Sequence, residues 1–241
     1  MLKNRYFLLI FSMVFFFSVF WFTQNLEYLK FPKNTELVLF MNGSLYGYAS
    51  IKSLCLMLVF PYLIFLLLFS KKERIVSLVR EKNRIQAHHK IVKNTIIATI
   101  LYVGIYLSVN LIFSFLFLGN KLLTATNFYS GILFYLLLLF LFYLTIGFLF
   151  RIIYDITASI GQALIFGAFA MCLFYLIDWI ILEGLYWTPL HTLDFFDLWL
   201  QNGPMISEIP FVLIPNVATA LILYLLSSNI FIKKDFYSYE K

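Results

Sequence analysis

Charge is what this sequence has least of. Of 241 residues only 12% are Asp, Glu, Lys or Arg, about half of the roughly 25% that an ordinary soluble domain carries. A water-facing surface cannot be covered from that stock, which excludes a soluble enzyme. Low hydrophobicity is missing too, which excludes a disordered chain. Cysteine is scarce: the two in the chain, Cys55 and Cys172, both sit inside long apolar runs. They exclude a disulfide scaffold, read as packing residues and carry no redox information. Catalytic constellations are also missing. There is no H-E-x-x-H pair, no G-x-S-x-G elbow and no Gly-rich phosphate loop. His88 and His89 fall on the opposite side of the predicted membrane from His191, so the three histidines cannot share a metal. No catalytic residue, metal site or cofactor is expected in this chain.

What is present is apolar: 62% of the residues, with 29 Phe and a mean hydropathy of +0.90. Lipid is the expected solvent. A bilayer core about 30 Å thick takes roughly 20 apolar residues per helix. Six runs qualify, at 6–23, 51–70, 95–118, 128–150, 160–182 and 210–232. The fold class predicted is therefore an all-α membrane protein with six transmembrane helices, organised as a single transmembrane domain over 1–241. The longest predicted loops, 24–50 and 183–209 at 27 residues each, are shorter than the roughly 50 residues a domain needs. Lys3 and Arg5 precede the first run as in a signal peptide. However, Phe22-Thr23-Gln24-Asn25 offers no small-x-small cleavage site, so an uncleaved first helix is expected.

The basic residues orient the spans. An even number places both termini on one side. That side collects 14 of the 18 Lys and Arg, eight of them between Lys71 and Lys93, and leaves 4 for the other. Both termini are predicted to be cytoplasmic, and the net charge of +6 becomes a topology signal; no nucleic-acid partner is expected. The Phe, Ile, Leu, Lys, Asn and Tyr bias suggests an AT-rich bacterial genome, hence a bacterial cell membrane. The spans themselves are nearly free of charge, where ion or proton pathways would leave it. Asp178 is the exception, close to the outer end of span five and expected to be hydrated from outside. Asn110 and Gln162 are expected as interhelical glue, and Pro61 and Pro215 as interruptions of spans two and six.

Three segments could carry function. The loop 71–94 begins as a short amphipathic helix with Ile75, Leu78 and Val79 on one side, suited to a lipid surface or a partner's groove. In the outer loop, Thr188 followed by Pro189 reads as an N-cap and first helical residue. His191, Asp194, Asp197 and Gln201 then make one polar stripe, and Leu190, Leu193, Phe196, Trp199 and Leu200 the apolar side. Asn202-Gly203-Pro204 ends this helix, which is expected to lie on the outer leaflet with Trp187 and Trp199 at the interface. In span five, Ser159, Ala163 and Gly167 form a small-residue stripe that allows close helix approach, within the chain or between copies.

Six spans with both ends inside, no soluble domain, and the stretch Leu78-Val79-Arg80-Glu81-Lys82-Asn83-Arg84 running through Lys90 and Lys93 into span three resemble the permease subunits of ABC-2-type transporters. Among these, the chain is most similar to the small peptide-exporting permeases of bacteriocin-immunity and phenol-soluble modulin systems. The resemblance implies the ABC-2-type exporter transmembrane fold and a coupling loop, with Arg74, Leu78, Arg80, Glu81 and Arg84 engaging a separate ATP-binding cassette subunit that holds ATP and Mg. It also implies a second permease copy or paralogue, with Ser159, Ala163 and Gly167 as interface candidates. Short helices would cap the exit, with Asp178, Trp187 and Trp199 as lumen or exit candidates, and the cargo would be a hydrophobic or amphipathic peptide. Two departures stand against it. Only five residues precede Tyr6, where the family usually has an amphipathic helix. The loop 24–50 is long, and its Leu37–Phe40 run and Asn42-Gly43 and Tyr46-Gly47-Tyr48 turns predict an ordered extracellular feature. The alternative is a non-ABC membrane binding protein, either a stand-alone immunity protein or the substrate-capture component of a vitamin importer. Neither needs an ATPase groove on the loop 71–94.

Overall fold

The computed structural model describes residues 2–70, 84–182 and 188–233, in which every regular element is helical. Among them, five helices are long and apolar enough to cross a membrane, so the chain is a multi-pass membrane protein by length and composition. They are α1 (Leu2–Asn25), α4 (Arg84–Leu118), α6 (Phe128–Thr157), α7 (Ile160–Ile177, continued by a π-helical turn to Leu182) and α9 (Ile209–Lys233). Shorter helices are α2 (Thr35–Asn42), α3 (Val59–Ser70), α5 (Asn120–Ala125) and α8 (Phe195–Asn202).

The predicted second span is helical but not one α-helix. Ser53–Met57 is π-helical, and α3, with 12 residues, follows it. Pro61 supplies the reason. It has no N–H for the Met57 carbonyl, and its ring crowds that carbonyl in a regular helix, so the chain widens by one residue upstream. Pro215, expected to interrupt span six, lies inside a continuous α9. There the Thr219 hydroxyl donates to the Pro215 carbonyl and the Asn216 amide to the Val212 carbonyl, adding side-chain donors to the turns on either side of the proline.

Two helices outrun their predicted spans. α4 starts at Arg84 rather than Thr95, because Arg84–Asn94 contains neither Gly nor Pro and is rich in helix formers. At 35 residues it is about 52 Å long, well beyond a hydrocarbon core of about 30 Å. α6 continues past Phe150 to Thr157, where Ala158 takes a left-handed conformation (φ 55°) and donates its N–H to the Tyr154 carbonyl. Ser159 then caps α7 by accepting from the Gln162 N–H, so the two helices turn back on each other within three residues.

α6 is the hub, packed against α3, α4, α7, α8 and α9. Its most apolar stretch is 61% buried, against 11% in α7 and α9. A stripe of α7 and α9 that includes Ile165, Phe169, Phe211, Ile214 and Leu225 is exposed and suits lipid. Inside, six tyrosines, Tyr48, Tyr62, Tyr102, Tyr106, Tyr135 and Tyr143, are at most 1% exposed, and each hydroxyl is bonded. Tyr143 donates to the Leu54 carbonyl at 3.2 Å and Tyr102 to the Leu58 carbonyl at 2.8 Å, both in the irregular turn before α3. Tyr48 and Tyr106 donate to each other's carbonyls at 3.0 and 2.7 Å while their rings stack 4.4 Å apart. Asn110 is interhelical glue, taking the Trp21 indole N–H at 3.0 Å and donating to Asn42 at 2.8 Å. Gln162 is exposed and joins nothing across the bundle.

Candidate functional site

The polar groups collect at the two ends of the bundle: a loop end, built from α2, α8 and the connections around them, and a basic end, where Ser70, Arg84, Arg151 and Lys233 lie.

At the loop end the predicted ordered feature exists. α2 is capped by Asn34, whose side chain accepts from the Leu37 N–H at 2.9 Å, and buries Leu37, Val38 and Met41. The outer-loop helix begins later than expected. Thr188 is not its N-cap; the Thr188 hydroxyl has no partner among the described residues. A 3-10 turn, His191–Asp194, leads into α8. Gly203 ends α8 as expected, at φ 81° with its N–H on the Trp199 carbonyl.

The apolar face of α8 packs into the bundle, burying Phe195, Phe196, Trp199 and Leu200. Trp199 is 6% exposed, stacks on Phe134 at 5.5 Å and donates its indole N–H to Ser130 at 3.1 Å. A Cβ on Gly131 would stand only 2.9 Å from its ring. The predicted interfacial tryptophan is thus an internal plug beside α6. Of the polar stripe, His191, Asp194 and Asp197 are partly buried, while Gln201 is exposed. Asp197 accepts from the Ser44 N–H at 2.9 Å and from its hydroxyl at 2.8 Å, latching α8 to the end of α2. Burial raises the Asp197 carboxyl above its ordinary range, and the Ser44 donors partly oppose this. Burial likewise raises Asp194, against its bond with Ser44 and the nearby His191. Asp178, expected to be hydrated, has a side chain only 13% exposed, with Oδ2 3.5 Å from His191 Nε2 and Oδ1 without a partner among the described residues. It ties the end of α7 to the start of the cap. Trp187 lies outside the described residues.

At the basic end, Arg74, Leu78, Arg80 and Glu81 lie outside the described residues. Arg84 opens α4, and its guanidinium donates to the Ile232 carbonyl at 2.7 Å, a cationic cap on the last turn of α9. His88, placed by the sequence in a loop, is 1% exposed on α4, with Nε2 3.3 Å from the Ser227 hydroxyl and its ring beside Phe231. Arg151 of α6 donates Nε–H to Asp155 one turn on, at 2.8 Å; their side chains are 14% and 0% exposed. The Arg151 guanidinium lies 5.2 Å from the Tyr154 ring centre and 5.3 Å from that of Phe231.

Beside this cluster is a cavity of about 390 Å³ between α3, α4, α6 and the start of α7. Leu66, Ile91 and Phe150 form its apolar wall, Arg151 and Tyr154 its polar side, and Thr95 and Gly147 lie deeper. The lining residues Leu68 and Ile160 are 37% and 52% exposed, so the cavity opens laterally between α3 and α7. The sequence carried a signal that the hydropathy scan passed over: Gly147, Phe150, Arg151 and Tyr154 are spaced i, i+3, i+4, i+7 on one face of a helix.

The small-residue stripe faces inward. Ala163 is fully buried, and a Cβ on Gly167 would meet Leu63 at 3.2 Å and Phe150 at 3.7 Å. Ala163 and Gly167 pack within the chain, the first of the two readings the stripe allowed; Ser159 is the α7 cap. Among the described residues no group of His, Cys, Asp and Glu could hold a metal ion. The chain matches no protein-family model, and no curated protein and no solved structure is significantly similar to it.

Proposed function

We propose that the chain is the permease subunit of an ATP-driven, ABC-2-type exporter in a bacterial cell membrane, moving a hydrophobic or amphipathic peptide outward. In this reading residues 51–70 form a sixth crossing and the basic end faces the cytoplasm. A separate ATPase subunit carries ATP and Mg and docks on residues 71–83, and a second permease copy or paralogue completes the transporter. This chain performs no chemistry of its own.

One observation supports the reading more than the others. The segment 71–83 leads directly into α4, a helix about 52 Å long by its rise of 1.5 Å per residue. α4 carries Thr99, Tyr102, Tyr106 and Asn110, whose hydrogen bonds reach α3, the turn before it, the segment after α2, and α1. A force applied at 71–83 would therefore act on one rigid element tied to most of the bundle. The internal groups along α4 are neutral, which suits an apolar cargo.

The test is affinity purification of the full chain in mild detergent from its native host. An ATPase with a G-x-x-x-x-G-K-[ST] loop is expected to co-elute. Replacing residues 74–83 by a Gly/Ser linker of equal length should remove that ATPase and leave the chain monodisperse. Absence of any ATPase from the wild-type eluate favours the stand-alone binding protein, and retention after replacement removes the coupling role of the loop.

A further inference from the structure

We infer that the lateral cavity at the basic end binds a single-chain anionic amphiphile, a fatty-acid-type carboxylate taken from the membrane leaflet. The inference does not depend on the export reading. The cavity's volume, about 390 Å³, lies within the roughly 300–1,000 Å³ of small-molecule sites. Its opening, between Leu68 and Ile160, faces where lipid lies beside α3 and α7, so a ligand arrives sideways rather than from water. Its interior is apolar along Leu66 and Phe150. From Tyr154 back to Gly147 the α6 face spans two turns, about 10 Å by the helical rise. The floor is closed, because Tyr62 Oη and Thr95 would stand 2.7 and 2.9 Å from a Cβ on Gly147. A slot of that depth accepts one chain end and not a diacyl lipid.

The head group follows from Arg151. Asp155 is its one hydrogen-bond acceptor among the described residues, through Nε, and with no side-chain exposure Asp155 stands behind the arginine, off the cavity wall. The terminal guanidinium nitrogens remain as donors, and their planar fork matches a carboxylate through two parallel bonds. An arginine at the rim of an apolar slot, at the boundary of the membrane, is complementary to an acid on a hydrocarbon chain.

The probe is a photoreactive long-chain fatty acid, applied to the full chain in lipid nanodiscs, with the labelled peptides mapped by mass spectrometry. Label is expected within residues 66–70, 91–95 or 147–154. The unlabelled acid should compete, and the alcohol of the same chain length should not. Arg151→Gln should reduce labelling by about tenfold or more, as loss of a charged hydrogen bond implies. If that variant does not fold, acid-against-alcohol competition on the wild type decides alone. Label mapping elsewhere, equal competition by the alcohol, or displacement by a diacyl anionic phospholipid as effective as by the acid would each overturn the assignment.

Discussion

The two ends of the bundle are held together by different groups. At the loop end, aromatic side chains and a carboxylate fill the space between elements: Trp199 lies on Gly131, and Asp197 is bound to both Ser44 donors. At the basic end, Arg151 donates Nε–H to Asp155 within one helix, and a cavity lies beside them. Both ends are latched across elements far apart in sequence, the loop end through a buried carboxylate and the basic end through Arg84 and His88 on α9, and each borders a cavity, about 420 Å³ beside α2 and about 390 Å³ beside Arg151.

The comparison can be broken most strongly at Arg151. Arg151→Ala leaves the fully buried Asp155 carboxylate without its guanidinium, and a loss of about 3–5 kcal/mol is expected. The double variant Arg151→Ala, Asp155→Ala should recover most of it. Thermal unfolding of both in detergent checks this, and equal losses would show that the pair does not act as a unit. At the other end, Asp197→Ala strands the Ser44 N–H and hydroxyl, for a loss of about 2–3 kcal/mol. Hydrogen exchange should speed up in residues 37–48 and 193–202 and stay unchanged at 84–95, because this latch is confined to the loop end. Gly131→Leu should undock α8 by steric clash with Trp199, at about 1–3 kcal/mol, seen as quenching of Trp199 by a soluble quencher. Ala158→Gly relieves a left-handed residue and should stabilise by about 1 kcal/mol.

The smallest expected effect is one of pH. Burial raises the Asp194 and Asp197 carboxyls, so the folded cap holds protons more tightly than the unfolded chain does. Its stabilisation is then fully present below the ordinary carboxylate range and declines as pH rises through the raised values. Melting temperature should fall modestly from acid towards neutral pH, and Asp194→Asn should flatten the slope. An unchanged slope would mean that the cap is indifferent to this charge.

The apolar runs were legible because length and hydropathy alone dictate them, and the places where helices exceed or break them were not. α4 gains eleven residues before Thr95 because Arg84–Asn94 is polar yet free of breakers; hydropathy is blind to that, although helix propensity is not. Pro61 in the sequence hinted at an irregular span two. What stabilises it, the hydroxyls of Tyr102 and Tyr143 on the Leu58 and Leu54 carbonyls, comes from helices 44 and 89 residues away and leaves no local trace. The outer helix shows the same limit. Its two faces were readable from spacing, yet the apolar face meets α6, and Asp197 of the polar face meets Ser44, 153 residues distant, while Gln201 stays exposed. Local pattern specifies a helix and its stripes, but the partner of each stripe is set by long-range packing. For the same reason Ser159, Ala163 and Gly167 were visible as a stripe while the neighbours of Gly167, Leu63 and Phe150, were not.

The cavity beside Arg151 is tested most directly by cysteine accessibility along α4. Thr95 and Ser114 lie on this one helix, 5% and 0% exposed, but only Thr95 borders the cavity. In the full chain with Cys55 and Cys172 replaced by alanine, in nanodiscs, Thr95→Cys and Ser114→Cys are each treated with a small neutral maleimide that partitions into the bilayer. Rapid modification at position 95 and protection at 114 is the expected result; equal rates, or faster modification at 114, would contradict a cavity beside Arg151 that is reachable from the bilayer.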